Sequence, residues 1–267
     1  MFFEKMMRKM FVSFSKNRLL NWFASHCHIL HPLSRSFVAG ETIDEAVLVV
    51  KELNQDGCAA TIDILGESVV SPEKIDEVVL EYQTLIRRIH EEKLHASVSI
   101  KLSHVGLAFG KEFCEARMSR IAEMAERYYV PVEIDMEGSE DTDNTIEIFR
   151  MLRKKYHAVF FRLALQAYLH RTHERDIAML AQDGTAIRLV KGAYQEPPLV
   201  VYQCMESIRG VCRMLINYFA REDIRARGSH LAIGTHDPVL IEHAKGVLSE
   251  CGLPKNVFEF QMLYGMY

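Results

Sequence analysis

From residue 40 onward the apolar positions repeat one pattern: a short β-branched run, a polar loop, then apolar residues three and four apart. Thr42 and Glu45 form a capping box that opens a first helix, with Ile43, Ala46, Val47, Val50 and Leu53 on its buried face and Gly57 at its end. Residues 59–65 read as strand one. Ser71-Pro72-Glu73 then supplies an N-cap, a proline at the first helical position and an acid in the first turn. The helix that follows buries Ile75, Val78, Val79, Tyr82, Leu85, Ile86 and Ile89. The same cycle predicts strands over 97–102, 130–136, 158–165, 186–190, 231–234 and 258–262. Helices are predicted over 113–129, 142–156, 173–182, 200–222 and 238–251.

Strict alternation with near-continuously apolar strands implies a parallel sheet covered by helices. A doubly wound sheet and a (β/α)₈ TIM-type barrel both fit. Two features favour the barrel. No GxGxxG follows strand one, so the dinucleotide fingerprint is missing. Polar and charged residues also gather past the C-terminal end of nearly every strand, where a barrel builds its active site. These are Asp63 and Glu67, Lys101, Asp135 and Glu137, Gln166, Arg188 and Lys191, Thr235 and His236, and Gln261. Any one of them alone reads as a solvated loop residue or a helix cap. Their recurrence, and the apolar setting of Lys101 and Asp135, favour one convergent mouth in which this Lys and Asp face each other, since buried charges need partners.

The densest signal is Arg188-Leu189-Val190-Lys191-Gly192-Ala193-Tyr194. Arg188 and Lys191 can neutralise a phosphate or an electron-rich ring, Gly192 and Ala193 allow close backbone approach, and Tyr194 can wall a small substrate. Lys101 at a strand end also admits a Schiff-base reading, with an ion pair as the plainer one.

Composition narrows the classes. With 267 residues, 49% hydrophobic, 25% charged and a net charge of -4, nothing points to nucleic acid. Six scattered cysteines without a CxxC pair read as reduced thiols of an intracellular protein, mostly filling the core. No apolar stretch is long enough to span a membrane. Residues 1–40 stand apart as an N-terminal helical arm, with Lys5, Arg8, Lys9, Lys16, Arg18 and Arg35 against Glu4 alone. Such a basic amphipathic segment either targets a mitochondrion, lies on an acidic membrane surface, or packs on the domain as an extra helix. His26, Cys27 and His28 within it lack the spacing of a metal site.

RLVKGAY at 188–194 resembles the signature of the FAD-dependent proline dehydrogenases of bacterial type. FVAGET (37–42), LGES (65–68), SIKLS (99–103), IDME (134–137), LQAYL (165–169), THDP (235–238) and FEFQMLYG (258–265) extend the resemblance in order. It implies oxidation of L-proline to Δ1-pyrroline-5-carboxylate, the first step of proline catabolism to glutamate, with electrons passed to a quinone and with peripheral inner-membrane contact from the cytoplasm or in a mitochondrion. Carried over, Asp135 and Lys101 would sit by the substrate, with Tyr194 and Leu263 shaping its pocket. Met136 and Gln166 would touch the isoalloxazine, and Arg188 would lie beside flavin N5. Val190, Lys191, Gly192 and Ala193 would cradle the cofactor, and Thr235 and His236 would contact its distal part. In the family an eighth strand and a helix with adjacent arginines follow QMLYG. Residues 41–267 are therefore expected to form an incomplete barrel, truncated after strand seven, that binds proline weakly. The alternative is an inactive FAD-binding or partner-binding remnant.

Overall fold

The computed structural model describes residues 38–66 and 71–266. Most of the 1–40 arm, the His26-Cys27-His28 group and Glu67 lie outside the described residues. The elements run α1 (Ile43–Gln55), β1 (Ala60–Asp63), α2 (Pro72–Glu91), β2 (Ala96–Ile100), α3 (Lys111–Tyr128), β3 (Val132–Ile134), α4 (Thr142–Lys155) and β4 (Phe161–Gln166). They continue through α5 (Ile177–Gln182), β5 (Ala186–Val190), α6 (Met205–Ala220), α7 (Glu222–Arg225), β6 (His230–Gly234), α8 (Pro238–Glu250) and β7 (Phe258–Gln261).

Local chemistry sets the helix starts where the sequence places them. Thr42 Oγ1 accepts from Glu45 N, and the Glu45 carboxylate accepts from Thr42 N, so two otherwise orphaned N–H groups at the start of α1 are satisfied. Ser71 caps α2 ahead of Pro72. Gly57 takes φ +80 just after α1, a conformation that glycine adopts without a Cβ penalty. The apolar face read for α2 is buried at every position except Val78, which is half-buried.

All seven strands are parallel and lie in sequence order, β1 to β7. Adjacent strands are ~4.8 Å apart, so a flat sheet would hold β3 and β7 roughly 19 Å apart. Gln261 of β7 nevertheless donates to Glu133 of β3 at 3.2 Å, and Arg188 of β5 donates to Ser99 of β2 at 2.8 Å. Only a strongly curled sheet allows those bonds. This is the (β/α)₈ TIM-type architecture carried through seven strands. Among the described residues, β1 pairs with β2 alone and β7 with β6 alone.

The strands are not continuously apolar, as the sequence reading expects; they alternate. Outward positions such as Val98, Ile100, Val132, Ile134, Leu163, Ile187, Leu231 and Ile233 are buried beneath the helices. Each such burial contributes roughly 1.5–3 kcal/mol. Inward positions carry the polar residues Thr61 and Asp63, Ser97 and Ser99, Glu133, Arg162 and Gln166, Arg188, Glu259 and Gln261, with Ala164, Ala186, Val190 and Ala232 among them. Their side chains meet across the interior, which makes the curl visible and builds the site.

Two helices differ from expectation. The helix expected from residue 200 begins at Met205, because the preceding backbone is tied to the loop after β4. His170 N donates to Val200 O at 3.0 Å, Tyr202 N donates to Tyr168 O at 2.8 Å, and Leu169 bridges Val201. The helix expected over 173–182 opens as a π turn, Thr172–Asp176, in which fully buried Asp176 pairs with Arg171 at 2.7 Å and Arg175 at 3.1 Å. The cysteine reading is also corrected: Cys114 and Cys212 are in the core, whereas Cys58, Cys204 and Cys251 are exposed.

Candidate active site

At the C-terminal ends of the strands, opposite charges alternate. Asp63 closes β1, Lys101 follows β2, Asp135 follows β3, and Arg188 projects from β5. The Lys101 ammonium bonds Asp63 and lies 3.8 Å from Asp135 Oδ2. Arg188 Nη2 bonds Asp135 and donates to Ser99 Oγ at 2.8 Å. The expected pairing of Lys101 with Asp135 is therefore the longer of two contacts, and each charge has a nearer partner. Held between two carboxylates, the Lys101 ammonium favours the ion-pair reading over the Schiff base. All four side chains are three-quarters or more buried, where water screens them weakly.

A second polar layer lies beneath. Glu133, buried on β3, accepts from Thr61 at 2.9 Å, Ser97 at 3.0 Å, Arg162 at 3.0 Å and Gln261 at 3.2 Å, and its other oxygen lies 3.1 Å from Arg188 Nη1. Burial pushes its pKa up, but Arg188, Arg162 and the Thr61 and Gln261 donors outweigh that and hold it below the usual carboxylate range. Arg162 also makes a bidentate pair with Glu259, at 2.8 and 2.7 Å. The sequence reading passed over Glu133, Arg162 and Glu259. The signal was there: polar residues at i and i+2 through otherwise apolar strands mark one inward face.

The loop after β5 is fastened on several sides. Gly192 has φ +110, and a Cβ on it would fall 2.2 Å from the Tyr168 ring. Its bareness thus accommodates Tyr168, and Ala193 beside it is exposed. Gln166 is buried; Nε2 donates to Glu137 O at 2.7 Å and Oε1 accepts from Ala193 N at 3.4 Å. An amide has one more donor and one more acceptor site, so both ends keep capacity for a ligand. Glu196 of this loop accepts from Ser139 N at 2.7 Å, which ties it to the loop after β3. Lys191 lies 3.3 Å from Asp237, which also binds Arg209 through two bonds and caps α8 at Val239 N. Burial raises the Asp237 pKa, but Arg209 and Lys191 lower it further than that.

The remaining expected residues divide between support and rim. Met136, next to Asp135 past the end of β3, is buried in the packed core. Val190 sits beside Gly234, where a Cβ would fall 2.9 Å from its side chain. Thr235 Oγ1 accepts from Asp237 N, and His236 Nε2 accepts from Leu263 N at 2.9 Å. Tyr194 and Leu263 are exposed at the rim. A shallow cavity of about 320 Å³ lies at the opposite end, lined by Arg153, His157, Phe160, Gly184 and Gly228, away from this chemistry. Among the described residues no group of three His, Cys, Asp or Glu is placed to hold a metal. No helix among them is long and apolar enough to cross a membrane.

A family model described as proline dehydrogenase matches residues 46–206. The chain is 34% identical over 261 residues to proline dehydrogenase 1 of Bacillus subtilis, covering 98% of this chain and 83% of that one. It is 36% identical over 237 residues to the proline dehydrogenase of Deinococcus radiodurans, covering 88% and 74%. The chain belongs to the proline dehydrogenase family. That family is flavin-dependent, and its members are oxidoreductases. In structure, the chain matches proline utilization A (PutA) from Bdellovibrio bacteriovorus inactivated by N-propargylglycine, with a TM-score of 0.81 and 24% identity. It matches PutA from Corynebacterium freiburgense with a TM-score of 0.75 and 19% identity. These two likenesses concern the fold. The chain covers 89% and 98% of its own length in them but spans only 29% of each PutA chain.

Proposed function

We propose that the mouth holds FAD and L-proline, that the chain oxidises proline to Δ1-pyrroline-5-carboxylate, and that electrons leave to a quinone. The observation that carries this reading is the Asp63–Lys101–Asp135–Arg188 array, four alternating charges at one end of the sheet. Free proline is a zwitterion, and an array of alternating sign offers partners to both of its charges. The donor set also suits a flavin: Arg188 and Lys191 are cationic, and the exposed Ala193 step leaves room for a flat ring. When bound, FAD supplies the two-electron acceptor that removal of hydride from proline C5 requires.

The chain's own side chains bind, orient and stabilise. Asp135 offers a carboxylate to the secondary ammonium and Lys101 a cation to the proline carboxylate. Tyr194 and Leu263 close on the pyrrolidine from the rim and exclude water. Arg188 holds a fixed positive charge where negative charge grows on flavin reduction, without reorganising to do so. Val190, Lys191, Gly192 and Ala193 form the cradle, Gln166 and Met136 support it from beneath, and Thr235 with His236 lies toward the distal end of the cofactor. Residues 41–267 form the catalytic domain in this reading, and the basic 1–40 arm makes any peripheral membrane contact.

The test is reduction of a dye or quinone analogue by the purified chain. L-proline should drive it and D-proline should not, and Asp135→Asn should lower kcat/KM by about 10²-fold or more, equivalent to about 3 kcal/mol. Flavin content without proline-dependent turnover would overturn the substrate assignment. A colourless chain that is folded would overturn the cofactor assignment.

A further inference from the structure

We infer that Glu133 is a positioning residue for Arg188, setting both the place and the effective charge of its guanidinium, and through it the electron affinity of the flavin. This rests on the reading above that Arg188 stands beside the flavin. The geometry supports it independently of the mouth's outer ring. Glu133 collects donors from five strands: Thr61 on β1, Ser97 on β2, Arg162 on β4, Arg188 on β5 and Gln261 on β7. It lies below the alternating array and is 2% exposed, too deep to touch a ligand at the mouth.

A buried carboxylate is retained as an anion only where cations and donors outweigh its desolvation, and here they do. One of those cations is Arg188. Its two guanidinium nitrogens are divided between the layers: Nη1 at 3.1 Å from Glu133, Nη2 bonded to Asp135 and to Ser99 Oγ. The lower contact anchors the fork while the upper one faces the substrate side. The same negative charge also offsets part of the positive potential that Arg188 projects to the mouth. Removing that charge while keeping the shape leaves Arg188 more strongly positive, so the reduced, more negative form of a flavin beside it gains stability. Arg162 does not lose its balance in the exchange, because Glu259 holds it through two bonds at 2.8 and 2.7 Å.

The test is the midpoint potential of the flavin in the purified holoenzyme, which a merely structural role would not move in a fixed direction. Glu133→Gln should raise it by about a tenfold gain in the equilibrium constant for reduction, about 30 mV for a two-electron couple. Glu133→Asp, which keeps the charge, should stay within a third of that shift. A Glu133→Gln potential equal to or below the wild-type value overturns the inference. Should Glu133→Gln lose flavin while Glu133→Asp keeps it at near wild-type potential, the charge and not the shape is what the site needs, and the inference stands. Loss of flavin from both variants means a structural role and overturns it. Arg188→Gln distinguishes the two failures: if it leaves the potential unchanged, the placement of Arg188 beside the flavin has failed and the role of Glu133 falls with it, whereas a potential lowered by Arg188→Gln but unmoved by Glu133→Gln overturns the role of Glu133 alone.

Discussion

Replacing Gly192 by alanine sets a methyl group 2.2 Å from the Tyr168 ring, in a backbone conformation of φ +110 that L-residues rarely adopt. The two penalties are separable. Holding a non-glycine residue at positive φ costs roughly 1–2 kcal/mol, and forcing a methyl into a packed ring costs roughly 1–3 kcal/mol more. Tyr168 cannot swing aside cheaply, since it is buried and its hydroxyl donates to Tyr194 O at 3.2 Å. Gly192→Ala should therefore destabilise the fold by about 2–5 kcal/mol. In a Tyr168→Ala background the methyl has room, and only the φ cost of about 1–2 kcal/mol should remain. The assay is urea unfolding of the four proteins of the cycle, with the coupling taken as the departure from additivity. A coupling of about 1–3 kcal/mol is expected. Equal costs in both backgrounds, or a cost below about 1 kcal/mol in the parent, would refute the placement of the loop. The same substitution displaces Ala193 and Lys191, so flavin content should fall with stability.

Asp237→Asn keeps the cap on α8 but removes the charge that holds Arg209 and Lys191. Those two cations are about a third exposed and rehydrate in part, so the expected loss is about 1–3 kcal/mol, less than for a fully buried pair. Asp237 has a lowered pKa in the folded state, so its contribution is complete above the unfolded aspartate pKa of about 3.9 and is lost as pH falls through the folded value. Denaturant midpoints of the two proteins should therefore converge in acid. Burial pushes His104 and His230 below the usual histidine pKa, so both stay neutral in the folded chain where the unfolded one takes up protons. Stability should decline as pH drops below about 6.5 toward the folded values, in unfolding measured across that range. Cys114 and Cys212, buried and with thiol pKa values pushed up to about 12, should resist a thiol reagent in the native protein, whereas exposed Cys58, Cys204 and Cys251 should react.

Local signals survived into the structure because local chemistry decides them. Thr42 with Glu45, and Ser71 before Pro72, need only their own neighbours to start a helix, and they do so here. Asp63, Lys101, Asp135, Gln166 and Gln261 fall at strand ends because a parallel barrel turns all those ends one way. Partner choice was less legible. Lys101 and Asp135 read as a pair, yet Asp63 and Arg188 intervene because they come from strands whose neighbours are set by the curl. Glu133 and Arg162 look like charges misplaced in apolar runs until the sheet curls round them. Gly192 reads as a ligand cradle, and no local signal shows that its missing Cβ also makes room for Tyr168, 24 residues earlier. The start of α6 departs from the periodicity for a similar reason: residues 200–202 bond the loop after β4, a contact no periodicity within 200–222 encodes.

Anaerobic titration of the purified chain with L-proline shows whether one mouth joins flavin and proline through Arg188, Asp135 and Lys101. Flavin absorbance near 450 nm should bleach in proportion to added proline and recover with a quinone analogue (the band is a general property of oxidised flavins). Arg188→Gln should retain flavin and bleach far more slowly. A flavin that stays oxidised under excess L-proline, or bleaches as fast without Arg188, would contradict the account.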